Sequence, residues 1–148
     1  MSKGYASLKI TPESGRELES LFKLAGINAM PKNKLHVTLM YDETNPEIEV
    51  TPKQRRYSAK ITGVERMGKR GSKWEAIALT LSCPEIEARH RELKKMGFKH
   101  SYNEFKCHMS IAYKPKSTDI ELANLLFKLG NFPDKLYFSD EQWEEIKE

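Results

Sequence analysis

The stretch Lys-Leu-His-Val-Thr-Leu-Met-Tyr at residues 34–41 recurs as Lys-Cys-His-Met-Ser-Ile-Ala-Tyr at residues 106–113. Because side chains alternate across a β-strand, each copy predicts a strand that buries an apolar face and turns a histidine and a hydroxyl the opposite way. The predicted polar faces carry His36 and Thr38 in the first copy, and His108 and Ser110 in the second. The closing tyrosines, Tyr41 and Tyr113, are predicted to lie on the apolar faces.

The repeat extends beyond this motif. His36 and His108 lie 72 residues apart, and the same shift superposes Pro12-Glu13 on Pro84-Glu85, Leu21 on Leu93, and Lys34 on Lys106. A register shared by a helix start, a helix face and a strand indicates duplication rather than coincidence. The sequence therefore predicts one domain over residues 1–148, built of two similar halves at about 1–72 and 73–148.

Strand and helix signals alternate in both halves. Tyr5 to Ile10 alternates as a strand does, and a helix is predicted between Thr11 as its cap and Gly26 as its stop. Further strands are predicted over 54–67, 74–82 and 135–139, further helices over 84–97 and from Ser117, and an acidic tail over 140–148. This order predicts an α+β fold of two pseudo-symmetric lobes, with antiparallel strands around a central groove and helices outside.

The composition fits a soluble domain. Hydrophobic residues make up 39% and charged residues 31%, and the longest apolar runs are far too short to span a bilayer. We expect a cytoplasmic protein without a membrane or an obligate protein partner. Cys83 and Cys107 form no recognisable framework and are predicted to be small core residues. The net charge of +4 permits an anionic partner without requiring one.

If the two polar faces line one groove, that groove holds two imidazoles and two hydroxyls. Two opposed histidines suit metal-independent cleavage of a phosphodiester, because one takes a proton from the attacking oxygen while the other gives one to the leaving oxygen. The unperturbed histidine pKa of about 6.5 makes both forms accessible at neutral pH. A hydroxyl on the same face can hydrogen-bond a non-bridging phosphate oxygen. No cofactor and no metal are expected, since the chain has no tight cluster of histidines and carboxylates.

The sequence predicts the surroundings of the other histidines and of the basic residues less specifically. His90 lies on a charged helical stretch and is predicted to be solvated, whereas His100 precedes the second motif and can edge the groove. Lys34 and Lys106 either add charge at the groove or point to solvent. The basic turn at 68–73 is predicted to be a flexible hairpin tip, the alternative being a basic flap near an anionic ligand.

The duplicated motif resembles the signature of the 2H phosphoesterase superfamily, which it matches at His36, Thr38, His108 and Ser110. Within that superfamily the chain is similar to the phage anti-CBASS nucleases in its size, its early Tyr5, both motifs, and a C-terminal segment with Glu141 and Trp143. The resemblance implies a 2H phosphoesterase-like fold. It also implies a phage-encoded, metal-independent hydrolase that degrades the cyclic di- and trinucleotide signals of bacterial CBASS immunity in the host cytoplasm.

The resemblance implies a mechanism and base contacts as well. The 2′-hydroxyl of the substrate attacks the adjacent 3′-5′ phosphodiester, and the ring opens through a 2′,3′-cyclic phosphate. Aromatic residues stack on the bases, each stacked base contributing about 1–3 kcal/mol. The candidates are Tyr5, Trp74 and Trp143, with Glu141 as an acceptor for a base edge. Ordinary packing explains the aromatic residues equally well, and solvation explains Glu141.

Two other functions fit the same residues. RNA end processing, on 2′,3′-cyclic phosphates or 2′-5′ linkages, uses the same superfamily chemistry, but the chain is short and has no strongly basic track for a long RNA. A protein that sequesters nucleotides without turnover is the alternative outside the enzymes, and the intact histidines and hydroxyls argue against it. The expected partner is a cyclic oligonucleotide such as cyclic GMP-AMP, with no long nucleic acid.

Overall fold

A computed structural model describes residues 4–102 and 104–146, and within them the chain forms six strands and three α-helices. The strands are β1 (Tyr5–Ile10), β2 (His36–Tyr41), β3 (Tyr57–Met67), β4 (Ala76–Ser82), β5 (His108–Tyr113) and β6 (Leu136–Glu144). The helices are α1 (Pro12–Ala25), α2 (Pro84–Lys95) and α3 (Ser117–Lys128), with a short 3-10 turn at Lys32–Lys34.

The strands form one antiparallel sheet in the order β2-β1-β6-β3-β4-β5. The predicted α+β class with antiparallel strands is therefore confirmed. The two motif strands, β2 and β5, are the sheet edges, yet they lie against each other because the sheet curls. The 72-residue shift carries the bounds of β2 onto those of β5, and the first residue of α1 onto that of α2.

Both helix starts and the core follow from local signals. The Thr11 hydroxyl accepts a hydrogen bond from the Ser14 backbone, Pro12 opens α1, and Gly26 ends it with a left-handed φ of 77°. The helices pack their apolar stripes on one side of the sheet. The buried residues include Leu18 and Phe22 of α1, Ile86 and Leu93 of α2, and Leu8, Val37, Leu79 and Met109 of the strands. Both cysteines are buried there, as predicted.

A bulge in each motif strand changes which residues face the core. In β2, Thr38 and Met40 pair with the successive residues Ser7 and Ala6 of β1, so Leu39 is the extra residue. Ile111 is the extra residue in β5 in the same way. A bulge shifts the alternation by one position. Met40 and Ala112 are therefore buried, while Tyr41 and Tyr113 turn toward the histidine side of the sheet. The prediction that these tyrosines lie on the apolar faces is wrong for this reason.

The last strand is longer than the sequence pattern predicts. Asp140 has a left-handed φ of 62° and is the extra residue between Ser139 and Glu141, which pair with successive residues of β1. This bulge interrupts the alternation of side chains, so the sequence after it predicts a tail and not a strand. In the structure β6 continues to Glu144. The predicted tail's last two residues lie outside the described part. Other boundaries shift by two or three residues: β3 begins at 57, β4 at 76, and α2 ends at 95.

No helix in the described part of the chain has both the length and the apolar character that crossing a bilayer requires.

Candidate active site

Each motif histidine is oriented by the backbone two residues before it. The Nδ1 atom of His36 lies 2.9 Å from the carbonyl oxygen of Lys34, and that of His108 lies 2.6 Å from the carbonyl oxygen of Lys106. Since a carbonyl oxygen only accepts, Nδ1 carries the proton of each neutral ring and Nε2 keeps its lone pair. Nε2 is therefore the atom of each imidazole that can exchange a proton with a ligand.

Tyr5 touches the first of these histidines. Its hydroxyl lies 2.9 Å from His36 Nε2 and donates to it, with the two rings edge to face. Burial raises the pKa of the Tyr5 phenol, and a hydrogen bond with the Thr38 side chain partly opposes that rise. The phenol therefore stays protonated near neutral pH, and its single O–H is available to His36 Nε2.

The motif hydroxyls share the strand face of the histidines. Thr38 lies opposite Ser7 of β1, and Ser110 lies opposite Ala78 of β4. Both motif hydroxyl residues are half-buried. Because both residues keep part of their surface exposed, they can contact a ligand bound against the sheet.

Tyrosines from both motif strands occupy one neighbourhood. The ring of Tyr41 lies 5.7 Å from that of Tyr5 and 5.7 Å from that of Tyr102, measured between centroids. Burial raises the pKa of Tyr102, and the nearby phenols of Tyr41 and Tyr113 add to the rise. The Tyr113 phenol also contributes to the raised pKa of Tyr5, after burial. The ends of β2 and β5 thus line the same surface.

The two motif lysines differ in their surroundings. Lys106 Nζ lies 2.7 Å from a carboxylate oxygen of Glu65, and both side chains are largely exposed. Lys34 is exposed, and no ion pair of the described residues includes it. Glu65 therefore offsets the charge of Lys106, and Lys34 is the motif lysine whose charge is not offset in this way.

Trp74 lies beside the end of β5. Its ring is 64% exposed and stands edge to face with Tyr113 at 6.3 Å between centroids. Lys73, in the basic turn, places its ammonium 5.0 Å from the centre of the Trp74 ring. The basic turn and its tryptophan therefore adjoin the tyrosines of the motif strands.

The structure places Glu141 and Trp143 on the helix side of the sheet, away from the motif histidines. Both carboxylate oxygens of Glu141 accept hydrogen bonds from Arg89, at 3.0 and 2.9 Å, and one also accepts from the Trp143 indole at 2.9 Å. The Trp143 ring packs on Phe98 at 5.0 Å between centroids. A fully buried carboxylate with these partners is neither solvated nor turned toward a base edge in the groove.

The other two histidines are buried or half-buried beside β2. His90, predicted to be solvated, is buried with its Nδ1 atom 2.7 Å from the Leu39 carbonyl oxygen, and burial lowers its pKa. That prediction is wrong because α2 packs this charged-looking face against the edge strand. His100 accepts a hydrogen bond from the Tyr41 backbone at 3.2 Å, and burial lowers its pKa to about 4.

Within residues 4–102 and 104–146, no three histidine, cysteine, aspartate or glutamate side chains are grouped so that they could hold a metal ion.

Comparison with known proteins identifies the family. A family model described as "Anti-CBASS protein Acb1" matches residues 3–148. The chain belongs to the Acb1 family of anti-CBASS proteins. An anti-CBASS protein Acb1 of Vibrio phage KVP40 is 27% identical to this Acb1 family member over 110 residues, which cover 74% of this chain and 71% of the phage protein. An anti-CBASS protein Acb1 of Sphingomonas paeninsulae is 25% identical over 134 residues, covering 80% of this chain and 19% of that relative. The predicted similarity to the anti-CBASS family is thereby confirmed.

Proposed function

We propose that this Acb1 family member is a metal-independent phosphodiesterase that opens cyclic di- and trinucleotide signals at 3′-5′ bonds by two-histidine acid–base catalysis. The observation that carries the proposal is the matched setting of His36 and His108. Each has Nδ1 held by a backbone carbonyl and a hydroxyl two residues later on the same face, and in each Nε2 is the nitrogen that can exchange a proton with a ligand once the Tyr5 hydroxyl leaves His36. Family membership supports the choice of substrate class.

A two-lobed, 2H phosphoesterase-like arrangement belongs to the same proposal. It is supported by the equal bounds of β2 and β5 under the 72-residue shift and by their position at the two sheet edges. In such an arrangement the two histidines approach one phosphate from opposite sides, which an in-line displacement requires. One residue then serves the attacking oxygen and the other the leaving oxygen.

The first step conserves all atoms of the cyclic substrate. The 2′-hydroxyl oxygen attacks the adjacent phosphorus while one Nε2 takes the hydroxyl proton. The bond from phosphorus to O5′ breaks, and the second, protonated imidazole gives its Nε2 proton to O5′. The product is a linear chain that ends in a 2′,3′-cyclic phosphate, and the two histidines have exchanged protonation states. Hydrolysis of that phosphate, where it follows, adds one water.

We assign His36 as the base and His108 as the acid. In the neutral ring the Tyr5 hydroxyl donates to His36 Nε2, so this nitrogen already lies where a hydroxyl donor reaches it. The base has to accept a proton from a substrate hydroxyl, and the position of the Tyr5 hydroxyl indicates how such a group can approach His36. A substrate 2′-hydroxyl that donates to the same nitrogen would take the place of the tyrosine hydroxyl.

Thr38 and Ser110 are assigned to the non-bridging phosphate oxygens. Their hydroxyls can donate to these oxygens as the phosphorus becomes five-coordinate, and the loss of one such donor typically costs on the order of 10²–10³-fold in rate. Trp74 and Tyr5 are assigned to base stacking, since Trp74 is widely exposed beside Tyr113 and Tyr5 lies beside His36. Each stacked base would contribute about 1–3 kcal/mol.

The test is chromatography and mass spectrometry of a substrate panel incubated with the protein in excess EDTA. The panel holds cyclic di-AMP, cyclic GMP-AMP, a cyclic triadenylate, 2′,3′-cyclic AMP and a short RNA with a cyclic-phosphate end. We expect linear products from the cyclic oligonucleotides, none of them formed by folded His36→Ala or His108→Ala protein. Thr38→Ala should slow turnover strongly, whereas Thr118→Ala, an exposed threonine in α3, should leave it unchanged.

The panel also separates this function from its alternatives. Turnover of only the RNA end or the mononucleotide would assign the protein to RNA processing. Tight binding of a cyclic oligonucleotide without cleavage would indicate sequestration. Activity that EDTA abolishes and a divalent ion restores would contradict the metal-independent mechanism.

The roles of the two histidines need a second substrate, in which sulfur replaces the leaving O5′. A thiolate leaves without being protonated, so the general acid becomes dispensable. We expect His108→Ala to cleave this substrate, whereas His36→Ala remains inactive on it. Rescue of His36→Ala alone would exchange the two roles, and rescue of neither would contradict the division into acid and base.

A further inference from the structure

A second cavity lies beside the groove, between α2 and the loop that leads to β5. Its volume of about 460 Å³ is within the usual range for small-molecule sites. Neither motif histidine lines it, and it adjoins the groove through Tyr102, whose ring is 5.7 Å from that of Tyr41. The cavity is therefore a neighbour of the candidate active site and not part of it.

Two cations of α2 line the cavity. Arg91 and Lys94 lie one turn apart on the helix and are exposed, and no ion pair of the described residues includes either of them. Glu87 is the one carboxylate of the described residues on the wall. The cavity therefore has a positive end that suits a phosphate, which a pair of nearby cations binds well.

Aromatic rings also line the cavity. Phe105 stacks flat on His90, with centroids 3.9 Å apart, and Tyr102 is 62% exposed. An exposed ring such as that of Tyr102 can stack on a nucleobase of any type. An exposed ring and two cations in one cavity match the two parts of a nucleotide.

The two imidazoles on the wall offer complementary hydrogen-bonding atoms. His90 donates through Nδ1 to the Leu39 carbonyl, so its Nε2 is an acceptor. His100 accepts through Nδ1 from the Tyr41 backbone, so its Nε2 carries the proton and is a donor. The rings are 4.8 Å apart between centroids. One donor beside one acceptor matches the adenine edge, which carries an amino group next to a ring nitrogen.

The first half shows that the fold does not need these residues. A cavity of about 390 Å³ lies between α1 and the loop before β2, the equivalent place under the 72-residue shift. The residues equivalent to His90, Arg91, Lys94, His100 and Tyr102 are Leu18, Glu19, Phe22, Asn28 and Met30. Lys23 and Lys32 line this first cavity, and Lys32 pairs with Glu19. The first cavity has no imidazole among the described residues of its wall, so the two imidazoles distinguish the second cavity.

We propose that the cavity beside α2 is a second ligand site that binds an adenine nucleotide, with the phosphate at Arg91 and Lys94 and the base against Tyr102. His90 and His100 form hydrogen bonds with the edge of the base through their Nε2 atoms. The site does not depend on catalysis in the groove, so it stands or falls separately from the phosphodiesterase function.

The test is an NMR titration of the backbone amides with 5′-AMP, with adenosine and inorganic phosphate as separate arms. We expect chemical-shift changes centred on α2 and on residues 98–102, and weaker binding of either part alone. Arg91→Gln with Lys94→Gln should weaken 5′-AMP binding by about tenfold or more, corresponding to about 1.4 kcal/mol. The matched control is Arg16→Gln with Lys128→Gln, which removes two exposed helix cations elsewhere and should bind as the wild type does.

His36→Ala separates this site from the groove and should keep the same shift changes. Shift changes confined to β2 and β5, no shift changes at millimolar 5′-AMP, or an equal loss in the control variant would each overturn the proposal. Equal binding of 5′-AMP and inorganic phosphate would overturn the assignment of the base. A protein that cleaves no nucleotide but shows the expected shifts would leave this site established and the proposed activity refuted.

Discussion

The buried ion pair between Arg89 and Glu141 gives a measurable way to separate structural from substrate-binding residues. The Glu141 side chain has no exposed surface, and the Arg89 side chain is buried as well. Removing one partner of a buried pair leaves an uncompensated charge and typically costs about 3–5 kcal/mol. In Glu141→Gln, Arg89 would keep its ion pair with Glu92 and its hydrogen bond to the Thr51 carbonyl. We therefore expect Glu141→Gln to lose about 3 kcal/mol of unfolding free energy, the lower end of this range.

Thermal and urea denaturation measure this loss. For a chain of this size, about 3 kcal/mol corresponds to a fall in Tm of roughly 6–12 °C. The matched control is Glu92→Gln, which removes the same charge from the same arginine. Glu92 is 47% exposed, and exposed ion pairs are worth about 0–1 kcal/mol. The control should therefore lose at most a few degrees of Tm.

Turnover of a cyclic dinucleotide well below both melting temperatures completes the test. We expect Glu141→Gln to retain wild-type kcat/KM, because its carboxylate lies on the helix side of the sheet. A Glu141→Gln protein with an unchanged Tm and lost turnover would refute this reasoning and would identify Glu141 as a substrate-binding residue.

Three further predictions follow from single groups. Tyr5→Phe removes the hydroxyl that a substrate must displace from His36 Nε2, and should raise kcat/KM by about two- to tenfold, because a hydrogen bond of about 0.5–1.5 kcal/mol no longer has to be broken; a lowered kcat/KM would contradict this displacement. Because burial lowers the pKa of His100 from 6.5 to about 4, the unfolded chain binds this proton more readily. The unfolding free energy should fall as pH drops through that interval, and less so in His100→Gln by urea denaturation. Burial raises the thiol pKa of Cys83, and that of Cys107 to about 12, so a disulfide reagent should label the protein only after denaturation.

Local patterns were sufficient for the parts of the site that alternate along a strand. The motif strands, His36–Tyr41 and His108–Tyr113, lie within the stretches 34–41 and 106–113 that period-two alternation and the repeat predict, and begin two residues later. The start of α1 follows from the Thr11 cap and Pro12 because both act within a single turn. These features depend on interactions between near neighbours in the chain, which a sequence displays directly.

Features decided by distant partners were not predictable in the same way. The bulges at Leu39 and Asp140 have no clear local signal, because strand pairing decides which residue is left unpaired. The local sequence places Glu141 in an acidic tail, whereas in the structure Arg89, 52 residues away, donates hydrogen bonds to it. His90 lies among charged residues in sequence, yet its partner is a backbone carbonyl of β2. In each case the burial comes from tertiary packing, which overrides the polarity of the local stretch.

Both motif strands are sheet edges, and each receives a backbone hydrogen bond from a loop of the other half. An edge strand leaves backbone groups without strand partners, and here each half supplies partners to the other. Met30, from the first half, donates to the Ile111 carbonyl of β5 at 2.7 Å. Ser101, from the second half, donates to the Tyr41 carbonyl of β2 at 2.8 Å. Because each loop covers the opposite edge, a separated half would lose the contacts that bring the two motif strands together. We therefore expect neither half alone to retain the arrangement of β2 beside β5.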